Sequence, residues 1–283
     1  MTAEAPPEGA ALFEAKARQT NLSSFHLLRR ALKQADGLYA TARNSGTHWL
    51  RDMMSHAMAH QFGTPPPPYA TGDRAFDYLR PAKYPVIHPD IPQIIFLHSI
   101  PSGLITSGWL KPWSPRTPVT LLVRNIPDAV RSNYVKWRDQ YDPGLSAFVR
   151  GGDPKAPSFV SDPWWYVLFF NRWGDFAERN PGQVLVVRYE DLKADSASWL
   201  KRIARHWGFE LSDEAVAAGL AVSPRDSISK RQDPQLWPPI VRSESDVTRV
   251  AFSAEDVAVM EAIFARHLRH DFGYGYPINA RRS

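Results

Sequence analysis

Between Leu38 and Met54 the chain reads LYATARNSGTHWLRDMM, an apolar run that turns at Gly46 into a helical pattern. The hydroxyls of Ser45 and Thr47 flank Gly46, and Arg43, Asn44 and His48 adjoin it. A helix start of this kind offers free backbone N–H groups and the positive end of the helix dipole, a setting for an anion and above all a phosphate. For an isolated Ser-Gly-Thr the plainer reading is favoured: Ser45 caps the helix and Gly46 relieves a tight turn. The nucleotide-loop pattern GxxxxGK[ST], aligned on Gly46, would need Gly at Thr41, Lys at Thr47 and Ser or Thr at His48, and it fails at all three. That disfavours an ordinary ATP- or GTP-dependent phosphoryl transferase.

Further along, TLLVRNIPDAVRSNYVKW ends an apolar run at Arg124 and places Ser132 eight residues on, about two turns into a helix that starts after Pro127. A second phosphate could lie between that guanidinium and that hydroxyl. In the plainer reading Asp128 favours the helix N-terminus and Arg124 pairs with a surface acid. The run IIFLHSIP puts His98 just past a strand, where a neutral imidazole could take a proton from a bound hydroxyl. A lone His is more often a hydrogen-bonded structural group. The adjacent Glu190 and Asp191 of Tyr189-Glu190-Asp191-Leu192 would point to opposite faces of an extended chain, so they read as structural or orienting groups rather than a glycosidase pair.

Other candidates are weaker. His56 and His60 stand at i, i+4, and His267 and His270 at i, i+3, but the residue after His56 is Ala57 and no third ligand is evident, so no metal site is assigned. Trp109, Trp113, Trp164, Trp165 and Trp237 could build a flat apolar acceptor pocket, and ordinary core packing explains most of them equally well.

The elements that must position these groups are legible as short apolar runs at Gly37–Ala42, Ile94–Leu97, Val119–Val123 and Val184–Val187. They alternate with helical patterns over Thr47–Gln61, Pro127–Gln140, Trp164–Glu178, Ala197–Trp207, Asp213–Ala221 and Ala254–Leu268. This alternation predicts one α/β domain across 1–283, with a mainly parallel sheet, helices on both faces and ligands at the carboxyl ends of the strands. Proline is abundant, 25 of 283 residues against a usual level of about 5%. It gathers in the irregular stretches 63–92, 142–163 and 223–250, which read as lids over one end of the sheet.

Composition narrows the function classes. With no cysteine, disulfide frameworks, thiol nucleophiles and thiolate metal sites are excluded. The net charge of +5 suits a phosphorylated ligand in one basic pocket better than nucleic acid, since no run reaches five Lys/Arg. Neither a signal-peptide pattern nor a membrane-length apolar window is present, so the reading is a soluble cytoplasmic protein without a membrane or nucleic-acid partner.

Taken together, these ordered elements resemble the cytosolic-type sulfotransferases that use 3′-phosphoadenosine-5′-phosphosulfate (PAPS). Their 5′-phosphosulfate loop is similar to Arg43–Leu50, their 3′-phosphate motif to Val123–Tyr134, their catalytic His to His98 in Leu97-His98-Ser99-Ile100-Pro101, and their YEDL segment to Tyr189–Leu192. The resemblance covers roughly 37–208. It implies a nucleotide-kinase-like fold, no metal requirement, and transfer of a sulfuryl group to a hydroxyl or amine of a small-molecule acceptor, with adenosine 3′,5′-bisphosphate (PAP) as product; the tryptophans lean toward an aromatic or otherwise apolar acceptor. Carried over by position, Ser45, Gly46, Thr47 and His48 would hold the 5′-phosphate and Trp49 would stack near adenine. Arg124 and Ser132 would bind the 3′-phosphate, Tyr189 would touch the nucleotide from the side, and Ser227 and Ile228 would add adenine contacts. His98 would be the general base.

Departures are equally specific. The Lys expected before Ser-Gly-Thr is Asn44, which cannot neutralise charge, so either Arg43 reaches round, or a Lys or Arg from a lid substitutes, or transfer is slow. A second expected Lys is Phe96, and the Arg-Lys-Gly stretch that closes on the 3′-phosphate is absent, leaving Arg242 as the nearest candidate. These losses motivate a second hypothesis, a nucleotide-binding homologue without transfer activity. The oligomeric state is left open.

Overall fold

In a computed structural model the chain is described over residues 35–72, 75–102, 117–153, 156–157, 159–234 and 247–279. Among these, strands β1 (Gly37–Thr41), β2 (Leu79–Arg80), β3 (Ile94–Leu97), β4 (Val119–Val123) and β5 (Val184–Arg188) form one sheet in the order β2-β3-β1-β4-β5. All its pairings are parallel. β1 and β4 are buried along their whole length, which is why they read as unbroken apolar runs.

The period of two sends alternate residues into two cores. Leu38, Ala40 and Leu121 face helices α2 (Ile126–Trp137), α4 (Pro163–Arg179) and α9 (Ala254–His267). Tyr39 and Leu122 face α1 (Thr47–Gln61), α6 (Ser196–His206) and α7 (Asp213–Ala221). Helices therefore cover both faces, as the alternation predicts. The helices that pack on the first core are capped by short polar side chains: Asn125 accepts from Asp128 N–H at α2, Asp162 from Trp165 N–H at α4, and Ser253 forms a capping box with Asp256 at α9.

The irregular stretches contain more order than their composition predicts. β2 lies within 63–92, α3 (Leu145–Arg150) within 142–163, and α8 (Arg225–Lys230) within 223–250. The YEDL segment is not extended either: α5 (Tyr189–Ala194) begins directly at the end of β5. The first and third stretches are tied together, Ala70 N–H donating to the Arg231 carbonyl at 2.8 Å beside a Thr71–Gln232 bridge.

Candidate functional site

At the carboxyl edge of the sheet, where β1 meets β3 and β4, the strand ends open into a cleft of about 670 Å³. That volume suits a small-molecule site. Its floor is the β1–α1 turn. Asn44 and Gly46 both have left-handed backbones, φ 56° and 86°, so the chain reverses over Ser45 and aims the first turn of α1 at the cleft. Asn is among the residues that tolerate this region, and Gly46 is required beyond that, since a Cβ there would lie 2.6 Å from the Tyr189 ring.

Ser45 is not the helix cap. Gly46 holds that position, no side chain caps the helix, and the first backbone bond is Leu50 N–H to the Gly46 carbonyl at 3.0 Å. The preceding first-turn N–H groups thus face an anion site. The Ser45 hydroxyl is fully buried with no hydrogen-bond partner. An orphaned donor beside an uncapped helix start fits a bound phosphate group.

A second basic centre lies across the cleft. Arg124, at the end of β4, donates through Nη1 to Ser132 Oγ at 3.1 Å and to the Asn44 carbonyl at 3.1 Å. Its plane stacks on Tyr189 at 4.8 Å, and its buried Nε–H has no partner. The surface-acid reading of Arg124 thus gives way to an inward one, while Asp128 pairs with Arg131 at 3.2 Å. Between the two centres Trp49 and Tyr189 meet edge to face at 5.7 Å, and Trp49 Nε1–H donates to the Ser223 carbonyl at 3.0 Å. Ile228 lines the same wall. Ser227 is not among the lining residues; its Oγ accepts from Arg231 Nε at 3.3 Å. Arg242, Trp109, Trp113 and Trp237 lie outside the described residues.

His98 sits beside the loop. Its Nδ1 lies 2.9 Å from the Thr41 carbonyl oxygen and 3.0 Å from Thr41 Oγ1, which in turn lies 2.8 Å from Thr47 Oγ1. A carbonyl can only accept, so Nδ1 carries the proton and Nε2 keeps a lone pair. Burial pushes the imidazole down to about 3; the Thr41 carbonyl works in the opposite sense, and the cations Arg43, Lys136 and Arg51 add to the depression. His98 is therefore a neutral base at physiological pH.

The cations are arranged differently from the sequence reading. Arg43 lines the cleft but rests on Trp165 at 5.3 Å, with Nη1 3.4 Å from Ser161 Oγ. Lys136 of α2, one turn beyond Ser132, also lines the cleft. The i, i+4 spacing from Ser132 was the available signal for it. Thr41 was missed because only the sheet register brings the end of β1 beside His98.

Glu190 and Asp191 do orient the fold. Glu190 accepts from Asn125 N–H at 3.2 Å and from the Tyr274 hydroxyl at 2.6 Å, while Asp191 pairs with Arg188. Among the described residues no cluster of three His, Cys, Asp or Glu could hold a metal. His56 lies against Asp52, and His270 against Asp175. No helix among the described residues is long and apolar enough to cross a membrane.

Comparison with known proteins bears on the fold and the family. The chain is similar over 90% of its length to 92% of the mouse sulfotransferase SULT7A1 in a structure complexed with PAP, at 16% identity and a TM-score of 0.54. It also matches a structure of retinol dehydratase in complex with androsterone and inactive cofactor PAP, at 14% identity over 91% of this chain and 93% of that one, with a TM-score of 0.46. No curated protein matches the chain. The model of the sulfotransferase domain matches residues 34–224, the stretch that holds the loop, both basic centres and His98, and the chain belongs to the sulfotransferase family.

Proposed function

We propose that the protein transfers a sulfuryl group from 3′-phosphoadenosine-5′-phosphosulfate to a hydroxyl or amine of a small apolar acceptor, with His98 as general base. The observation that carries this reading is the bond from His98 Nδ1–H to the Thr41 carbonyl at 2.9 Å. It fixes a basic Nε2 within the cleft whose floor is an uncapped helix start. When bound, the donor supplies the activated sulfuryl group and an adenosine bisphosphate leaving group. The turn through Ser45, Gly46 and Thr47 receives the 5′-phosphate on N–H donors already aimed, so little reorganisation is needed as charge builds there. Arg124 and Ser132 hold the 3′-phosphate, with Trp49, Tyr189 and Ile228 against the adenine. His98 Nε2 removes the acceptor proton.

Trp137 and Phe159 meet at 4.3 Å and line the cleft, which supports an aromatic or otherwise apolar acceptor. The absence of cysteine suits a reducing compartment, and a cytoplasmic setting belongs to the same proposal. The test is thermal stabilisation by PAP compared with ATP plus Mg²⁺ and with AMP, followed by transfer of labelled sulfate across an acceptor panel. Stabilisation by PAP alone, followed by transfer, is the expected result. Tight PAP binding without transfer to any acceptor would leave a binding protein instead, and a response to ATP·Mg²⁺ alone would overturn the reading.

A further inference from the structure

Arg51 is a cation in an unusual place. It lies on α1 with 1% of its surface exposed, its guanidinium 4.3 Å over the Phe76 ring and 6.0 Å from that of Phe96. The adjacent carboxylate, Asp52, is engaged by Arg231. Arg51 Nη2 makes two bonds, to the Ala70 carbonyl at 3.1 Å and to His48 Nδ1 at 3.0 Å. A guanidinium has donors and no acceptor, so His48 Nδ1 must offer its lone pair, and the imidazole proton is confined to Nε2.

The two histidines of the cleft are thus held in opposite tautomers by opposite partners. A carbonyl fixes His98 with its proton on Nδ1 and a basic Nε2. A guanidinium fixes His48 with a basic Nδ1 and its proton on Nε2. His48 lines the cleft, and with its Nδ1 taken by Arg51 the one N–H the ring has to offer is Nε2–H. Burial, together with Arg51, Lys136 and His98, holds its pKa well below the usual histidine range, so this donor is neutral.

We propose that Arg51 is a positioning residue: by holding His48 Nδ1 as an acceptor it keeps the ring proton on Nε2, so that His48, which the reading above sets at the 5′-phosphate, meets that phosphate as a hydrogen-bond donor in a chain where Asn44 supplies no charge. The inference rests on the nucleotide reading above and deepens it. Two titratable rings with divided duties then serve one reaction: His98 accepts the acceptor's proton, and His48 donates a hydrogen bond to the departing phosphate without losing its own.

Titration calorimetry with PAP and with adenosine 3′-monophosphate, which lacks the 5′-phosphate, separates the claims without an acceptor. The expected result is that His48→Leu weakens PAP by about 10- to 100-fold, the usual worth of a hydrogen bond to a charged group, and leaves the monophosphate within about twofold. His48→Gln, whose amide can place a donor near the Nε2 position, recovers most of the PAP affinity. An equal loss for both ligands, or none for either, would overturn the assignment. If the unaltered protein does not bind PAP, the proposed function fails first, and this inference falls with it.

Nitrogen-15 spectra of the histidines read the tautomers in the unaltered protein, and the same spectra of Arg51→Met test the positioning step. The expected spectrum has a protonated Nε2 on His48 and a protonated Nδ1 on His98, with the His48 tautomer lost in Arg51→Met. A His48 ring protonated at Nδ1, or a tautomer unchanged in a folded Arg51→Met protein, would remove Arg51 from its role.

Discussion

The Tyr189 ring occupies the space that a side chain on Gly46 would need: a Cβ built there would stand 2.6 Å from Tyr189 Cδ2 and 2.8 Å from Cε2. One contact thus joins the phosphate turn to the first residue of α5, and Tyr189 carries the stacked Arg124 on to the second basic centre. Both proposed phosphate sites lean on one ring.

Gly46→Ala is therefore expected to do two separable things. The left-handed backbone costs about 1–2 kcal/mol with any Cβ, read as a fall in urea-unfolding free energy. The clash moves Tyr189, so PAP affinity falls by at least about 10-fold, beyond what the stability loss explains. A folded variant with unchanged PAP affinity would show that the turn does not hold the nucleotide.

Arg124→Gln removes the charge that Ser132 Oγ and the Asn44 carbonyl hold in place. The expected loss is about 10- to 100-fold in PAP affinity, with AMP, which lacks the 3′-phosphate, little changed. Parallel losses for both nucleotides would mean that Arg124 supports the turn rather than reading the 3′-phosphate.

What could be read without coordinates follows the physics of each segment. β1 and β4 were legible because strands sealed into a parallel sheet read as nearly unbroken apolar runs, and β3 and the half-buried β5 because their apolar runs stop at His98 and Arg188. β2 has two residues, too few for any period, and α3 has six in a proline-rich stretch. α5 gives no start signal: its cap position is Arg188, with no side-chain cap, and the strand runs straight into it. In the site, motif residues that touch backbone or phosphate are local in sequence and could be found. Thr41 meets His98 across strands and Arg51 reaches the rings of Phe76 and Phe96 across elements; only the Arg51–His48 pair, i, i+3 on α1, left a hint in the spacing.

The loop beyond α7 depends on one buried pair. Asp52 has a fully buried carboxylate held by Arg231, Nη1 to Oδ1 at 3.2 Å, and this ties residues near Ser223 and Ile228 to α1. Arg231→Met leaves the buried carboxylate against His56 without its guanidinium partner and is expected to cost about 3–5 kcal/mol in urea unfolding, with part recovered by adding Asp52→Leu. A loss under about 1 kcal/mol would show that the pair is not what fixes the loop.

His98 shares the acid side of the stability profile with His48, His206 and His267, all held below the usual histidine range by burial, and its own ring is faced by Arg43, Arg51, Lys136 and His48. All the cations act in one direction, and with burial they hold the folded pKa at about 3 against an ordinary 6.5. Between those values the unfolded chain binds a proton that the native ring refuses, so stability is full above about pH 6.5 and falls as the pH drops toward 3. His98→Asn should make that part of the stability profile less steep by the share of one histidine, leaving the share of His48 in place. For activity, kcat/KM reports the free enzyme, so its acid limb lies well below pH 6.5. A bound donor brings negative charge beside the ring and favours the imidazolium, so the limb in kcat lies above the limb in kcat/KM. His98→Ala should lower kcat by about 10²–10⁴ with PAP affinity kept. A kcat/KM limb at the ordinary histidine value, or a near-normal rate in the alanine variant, would take the proton transfer away from His98.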